Sequence, residues 1–186
     1  MNRRGQSQQI IPVSFWRREP VGAVQTLKAG FGAFVGIAVL GGLLEPTGLP
    51  LLIAPFGASA ILVFGYPHAA FAQPLSVLGS YSIAAAVGFL AMSQCPGTVW
   101  ATALAVAFSL VVMMSLGITH PPAGAIPLIA YADSSHLLQL IQVAIVGATV
   151  LIALAFVLQR LPPRGRHLIS RNADKPSPND HVSSND

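Results

Sequence analysis

The sequence predicts an all-α polytopic membrane helix bundle, with four transmembrane helices and two broken or re-entrant segments between them. Three observations predict it. Of 186 residues, 53% are hydrophobic and only 9% charged, against about 25% charged in ordinary soluble domains. Four long apolar runs are separated by polar or proline-containing breaks. Two further apolar stretches are snapped by prolines, which remove backbone donors and clash with the preceding turn. Between residues 29 and 159 the formal charges are Glu45 and Asp133 alone, an inventory that cannot solvate the surface of a soluble fold.

Residues 1–20 form a basic tail expected to be cytoplasmic, with no clear signal-peptide pattern. Phe15 and Trp16 beside Arg17 and Arg18 read as an interfacial anchor. The membrane domain is expected over 21–160. Its first span, residues 21–44, exceeds the ~20 residues that a crossing needs. Lys28 lies near its start, where a long side chain can reach back to the interface. Gly32 and Gly36 within it form a small-xxx-small pair suited to close helix packing inside the protein.

The Glu45-Pro46-Thr47-Gly48 stretch ends that span. Residues 49–66 are apolar but interrupted at Pro50 and Pro55, and Gln73-Pro74 closes the region. Residues 75–92 and 99–118 are the second and third spans, with Gln94-Cys95-Pro96-Gly97 as the turn between them. Residues 119–131 contain Pro121, Pro122 and Pro127; as a helix they would reach only ~20 Å of a core that is ~30 Å thick. Asp133-Ser134-Ser135-His136 is a polar turn with capping character. Residues 137–159 are the fourth span, and 161–186 a polar tail expected to be cytoplasmic and disordered. Arginines cluster at both ends and not in the internal loops, which places both termini on the cytoplasmic side, with the cell inner membrane as the expected location.

Pro55-Phe56-Gly57-Ala58 and Pro122-Ala123-Gly124-Ala125 share the pattern P-x-G-A at an offset of 67 residues. Each follows a long apolar span and precedes a polar turn and another span, which points to an internal duplication. Paired interrupted segments in corresponding halves are the sequence pointer to a transporter's binding site. A half-helix beginning after Pro55 or Pro122 offers unpaired N–H groups and a positive dipole end to an anion. Gly57, Ala58, Gly124 and Ala125 leave that approach open. His120 sits at the second break, where a titratable side chain in hydrocarbon is costly without a purpose; the alternative is that it caps a helix or bonds a backbone carbonyl. Thr119, Ser59 and Gln73 either line a polar site or satisfy backbone groups that the breaks release.

His120-Pro121-Pro122 with Gly124-Ala125 resembles the signature of the HPP family of integral membrane proteins. Pro55-Phe56-Gly57-Ala58-Ser59-Ala60 and Ala72-Gln73-Pro74 resemble that family's first block. The resemblance covers roughly the whole membrane region. It implies four transmembrane helices and a transport role, with nitrite the substrate linked to plant and cyanobacterial members. The chain departs from the pattern at Ala123, where glycine is frequent, and at Leu75-Ser76, where asparagine is often close by.

The expected function is therefore a transporter or channel for a small inorganic anion, nitrite being the named candidate. The anion would lie among Pro55, Gly57, Ala58, Ser59, Gln73, Thr119, His120, Pro121, Pro122, Gly124 and Ala125. The partners are the lipid bilayer, the anion and a second copy of the chain; the basic residues need no nucleic acid to explain them. No catalytic cluster, metal-ligand set or cofactor motif is read. A structural or regulatory subunit is the alternative, and an intramembrane enzyme the third. A cavity reaching His120 favours transport, a sealed interior favours the subunit, and a histidine–carboxylate pair in a cleft favours the enzyme.

Overall fold

The computed structural model describes residues 21–160, and its ordered elements are helical. The interfacial anchor expected at residues 15–18 and the tail expected to be disordered lie outside the described residues. Seven α-helices are joined by turns: α1 (Ala23–Gly42), α2 (Leu44–Thr47), α3 (Ala54–Gly65), α4 (Pro74–Gln94), α5 (Val99–Ser115), α6 (Ile126–Ala132) and α7 (Leu137–Gln159). Short 3₁₀ turns precede α4, α6 and α7, at Ala70–Ala72, Pro121–Ala125 and Ser134–His136. Three stretches are long and apolar enough to cross a membrane: Ala23–Thr47, Pro74–Gln94 and Ser134–Gln159.

The expected third span, residues 99–118, is helical for only 17 residues, Val99–Ser115. Gly117 is the reason. It adopts φ 68°, its N–H bonds Met114 O at 3.1 Å, and Ile118 N–H bonds Met113 O at 3.0 Å. This paired closure around a left-handed glycine is a Schellman termination. It turns Ile118, Thr119 and His120 back into the bundle. At ~25 Å α5 still falls within the shorter range of membrane helices.

The prolines act as starters rather than as mere interruptions. Pro55 and Pro74 occupy the first turns of α3 and α4, and Pro127 the first turn of α6. At that position a missing N–H costs nothing and the fixed φ suits the helix. Extended residues lead into α3, while the His-Pro-Pro run leads into α6 through a 3₁₀ turn.

The two broken segments cross the bundle instead of returning to the side they left. Gln139, at the start of α7, donates to Gly48 O at 3.4 Å, and Gln159, at its end, donates to Val63 O at 3.3 Å. Residues 48–63 therefore run the length of α7. Likewise a Cβ at Gly79 would meet Ile118, and one at Gly88 would meet Pro127, so residues 118–127 climb along α4. Directions alternate through α1, α3, α4, α5, α6 and α7, and the described chain begins and ends on the same side.

Each half thus contributes three crossings: α1, α3 and α4, then α5, α6 and α7. An odd number makes the second half run opposite to the first, the inverted-repeat plan of many transporters. Packing follows it. α4 and α7 lie together at the centre, and each carries a glycine against the other half's short segment. Gly88 of α4 leaves room for Pro127, and Gly147 of α7 for Phe56. Gly32 and Gly36 of α1 pack onto Phe64 of α3, with Leu151 also beside Gly36; their expected use in internal packing is what the structure has. The core around these contacts includes Leu40, Phe56, Tyr81, Ile126, Ala144 and Leu151.

Candidate functional site

His120 is 0% exposed, and the chain places it there by a sequence of local necessities. The Gly117 termination brings Ile118 against α4 at Gly79. The run into the prolines then has no helical partners for its backbone. Ser80 supplies them. Its hydroxyl donates to Ile118 O and accepts from the His120 N–H at 2.9 Å. Ala123 N–H closes the next turn on His120 O at 3.1 Å. Backbone freed at membrane depth is tolerated only when satisfied in this way.

The ring is held equally firmly. His120 Nδ1 lies 2.6 Å from Phe71 O, and Nε2 lies 2.7 Å from Ser59 Oγ. Ser59 Oγ is 2.8 Å from the Tyr81 hydroxyl. A carbonyl oxygen only accepts, so Nδ1 carries a hydrogen. In the neutral ring Nε2 is then an acceptor, Ser59 O–H donates to it, and Tyr81 O–H donates to Ser59 Oγ. One direction of donation runs from Tyr81 through Ser59 and His120 to Phe71 O. Tyr81 packs on Phe56, with centroids 5.2 Å apart, and on the His120 ring at 5.7 Å. Among the described residues no buried side-chain polar atom lacks a partner.

Four separate pieces of chain build this cluster: α3 gives Ser59, the Ala70–Ala72 turn gives Phe71 O, α4 gives Ser80 and Tyr81, and the second break gives His120. Of the residues expected in a site, Ser59 and His120 are the pair joined through their side chains. Pro55 and Pro122 are buried supports. Thr119, Gly124 and Ala125 are half-buried and Pro121 is exposed. Gly57 faces a lateral apolar groove of about 450 Å³ between α1 and α3, lined also by Ala33, Phe34, Ile37, Ala38, Ala60 and Ile61. Ala58 is exposed. Neither His120 nor Gly124 nor Ala125 lines that groove.

Gln73 lies elsewhere. It lines a pocket of about 210 Å³ on the side that bears the chain ends, with Val63, Pro67, Ala72, Ile152, Phe156 and Gln159 among its neighbours. Its side chain donates to Pro67 O at 3.2 Å. Sequence reasoning missed Ser80, Tyr81 and the Phe71 carbonyl. A signal existed: Ser76 and Ser80 lie one helical turn apart in an apolar span, with Tyr81 adjacent, a polar stripe that has to face protein.

Among the described residues no group of three metal-ligating side chains comes together. The close histidine–carboxylate pair is Asp133 with His136 at 3.1 Å, and it lies on the exposed turn before α7 rather than in a cleft. Asp133 accepts from Ser135 N–H at 3.2 Å, capping that turn as its sequence suggested. The Ser135 hydroxyl, and after it His136, hold the Asp133 carboxyl below its usual range.

Comparison with known proteins matches this arrangement to a family and to little else. Over 85 residues, 44% of this chain, it is 35% identical to a transmembrane protein of Dictyostelium discoideum. That stretch is 30% of the relative's length, so the likeness concerns a part of it. No solved structure matches. The family model for the HPP transmembrane region matches residues 18–168. It spans α1 to α7 and both proline breaks, and the chain belongs to that family.

Proposed function

We propose that this protein moves a small inorganic anion across the membrane, and that the described conformation is one closed around His120. The supporting observation is the Ser59–His120 hydrogen bond of 2.7 Å. It ties the first broken segment to the second at the centre of an inverted repeat, where transporters of such architecture hold their cargo. In the closed form the bond acts as a latch between the halves. Opening would expose Nε2 of His120 and the hydroxyls of Ser59 and Tyr81, a set that donates to an anion once the ring takes a proton. Proton uptake and anion binding would then favour each other. Nitrite is the candidate carried by the family resemblance, and a homo-oligomer fits a chain of this small size.

The sealed interior favours a second reading, a structural or regulatory subunit whose His120 network only secures the break. One experiment separates them. Purified protein in liposomes is screened for uptake of nitrite, nitrate, formate and chloride, alongside His120→Gln and Ser59→Ala. Transport predicts saturable flux of at least one anion, reduced about tenfold or more in both variants, the size expected for loss of a hydrogen bond to a charged group. Flux no greater than in empty liposomes for every anion leaves the subunit reading.

A further inference from the structure

The pocket beside Gln73 and the buried histidine are separated by one turn of chain. Ala72 and Gln73 line the pocket, while the preceding residue, Phe71, offers its carbonyl to His120 Nδ1 at 2.6 Å on the other side. Ala70–Ala72 is a three-residue 3₁₀ turn that stands between His120 and the pocket. Apart from the Phe71–His120 bond and that from Ser76 Oγ, which donates to Ala70 O at 2.8 Å, its bonds are local: Ala69 N–H to Tyr66 O at 3.0 Å, Ala72 N–H to Ala69 O at 2.9 Å, Gln73 N–H to Ala70 O at 3.3 Å, and the Gln73 side chain to Pro67 O at 3.2 Å and Ala69 O at 3.5 Å. Across the pocket, Gln159 ties α7 to Val63 of α3 at 3.3 Å.

We propose that the Ala70–Ala72 turn is the door to His120, and that the 210 Å³ pocket is its antechamber for water and small polar solutes. Movement of this turn away from α3 breaks the Phe71 O–His120 bond at Nδ1 and opens the pocket onto the imidazole and, at its Nε2 edge, Ser59 in a single step. Ser76 is the hinge-side fastener, since its hydroxyl is the side-chain bond that returns the turn to α4. Short turns with mainly local bonds open at low free energy, whereas α4 and α7 behind them are long and continuously packed. Access is therefore one-sided, from the face that bears the chain ends. The antechamber serves the transport reading, but its opening is measured without any flux.

The test uses the full chain in lipid vesicles, with Cys95→Ser and Ser59→Cys, and a charged, membrane-impermeant thiosulfonate applied to either face. Labelling is read by mass spectrometry. Modification is expected from the face bearing the termini alone. Adding Ser76→Ala should raise its rate about tenfold, the effect of releasing one hydrogen bond on a local opening. Gln159→Trp, which fills the pocket mouth, should lower it by a similar factor. Labelling from the opposite face, from both faces alike or not at all overturns the proposal, as does a rate indifferent to Ser76→Ala. If Ser59→Cys fails to fold, amide exchange in the otherwise unaltered chain decides. Ser76→Ala must then speed exchange over residues 69–73 while leaving 140–155 unchanged, and unchanged exchange at 69–73 overturns the door. One-sided labelling without anion flux removes the transport reading and keeps the door; flux with labelling from the opposite face does the reverse.

Discussion

At the scale of single residues, His120 does what one of its two sequence readings held, bonding a backbone carbonyl, that of Phe71. Its backbone and ring satisfy groups released by the proline break, and its Nε2 meets the other half of the molecule at Ser59. Removing the ring leaves Phe71 O without its partner and Ser59 with the Tyr81 hydroxyl alone. His120→Ala should therefore cost about 3–5 kcal/mol of stability, from a cavity together with an unsatisfied carbonyl; a thermal melt in detergent measures it. Tyr81→Phe removes one donor and no volume of consequence, and a loss of about 1 kcal/mol is expected. Because a carbonyl faces Nδ1, nitrogen-resolved NMR should find the hydrogen of the neutral ring on Nδ1 and not on Nε2. At the exposed turn, Asp133 gains bonds in its charged form. Its depressed pKa means that this contribution is present above the ordinary carboxylate value of about 4 and fades as pH falls through the folded value. The exposed site is well screened, so the effect is small. A stability–pH curve should lose this acid limb in Asp133→Asn.

At the scale of elements, the apolar runs were readable because composition and length suffice to mark a membrane helix. The starts of α3 and α4 were marked by Pro55 and Pro74, and the turn before α7 by Asp133. The end of α5 was not read, although Gly117 before a polar, proline-bearing run is a recognisable stop. Depth was less legible still. Nothing in residues 119–131 says whether they return or cross; that depends on Gly79 and Gly88 of α4, which admit Ile118 and Pro127. Gly147 is the sharpest case. A Cβ there would stand 2.1 Å from the Phe56 ring, and Phe56 is wholly buried. Gly147→Ala should destabilise by about 2–3 kcal/mol through overpacking, whereas alanine at Gly124, where a Cβ meets nothing within 4 Å, should be close to neutral. Paired melts of the two variants check this.

At the scale of the molecule, the P-x-G-A repeat pointed to two comparable halves, but its spacing carries no information on direction. Direction follows from the number of crossings per half. With six crossings both ends of the described chain share one side, so reporter fusions at the two termini should be accessible from the same face of the membrane. Fusions that report from opposite faces would contradict the arrangement of α3 and α6. The chemistry of the centre was only half visible in the sequence. Ser59 and His120 lie in recognisable motifs, but Ser80, Tyr81 and Phe71 O reach them through tertiary packing alone.

The polar centre does not share the symmetry of its scaffold. At the 67-residue offset His120 corresponds to Ile53, Ser80 to Gly147 and Tyr81 to Ala148. The two reversed copies thus enclose a single imidazole, owned by the second. A chain whose crossings look nearly alike from above and below still has a distinct top and bottom wherever a proton or an ion is concerned. Any current through it would rectify, with unequal rates in the two senses.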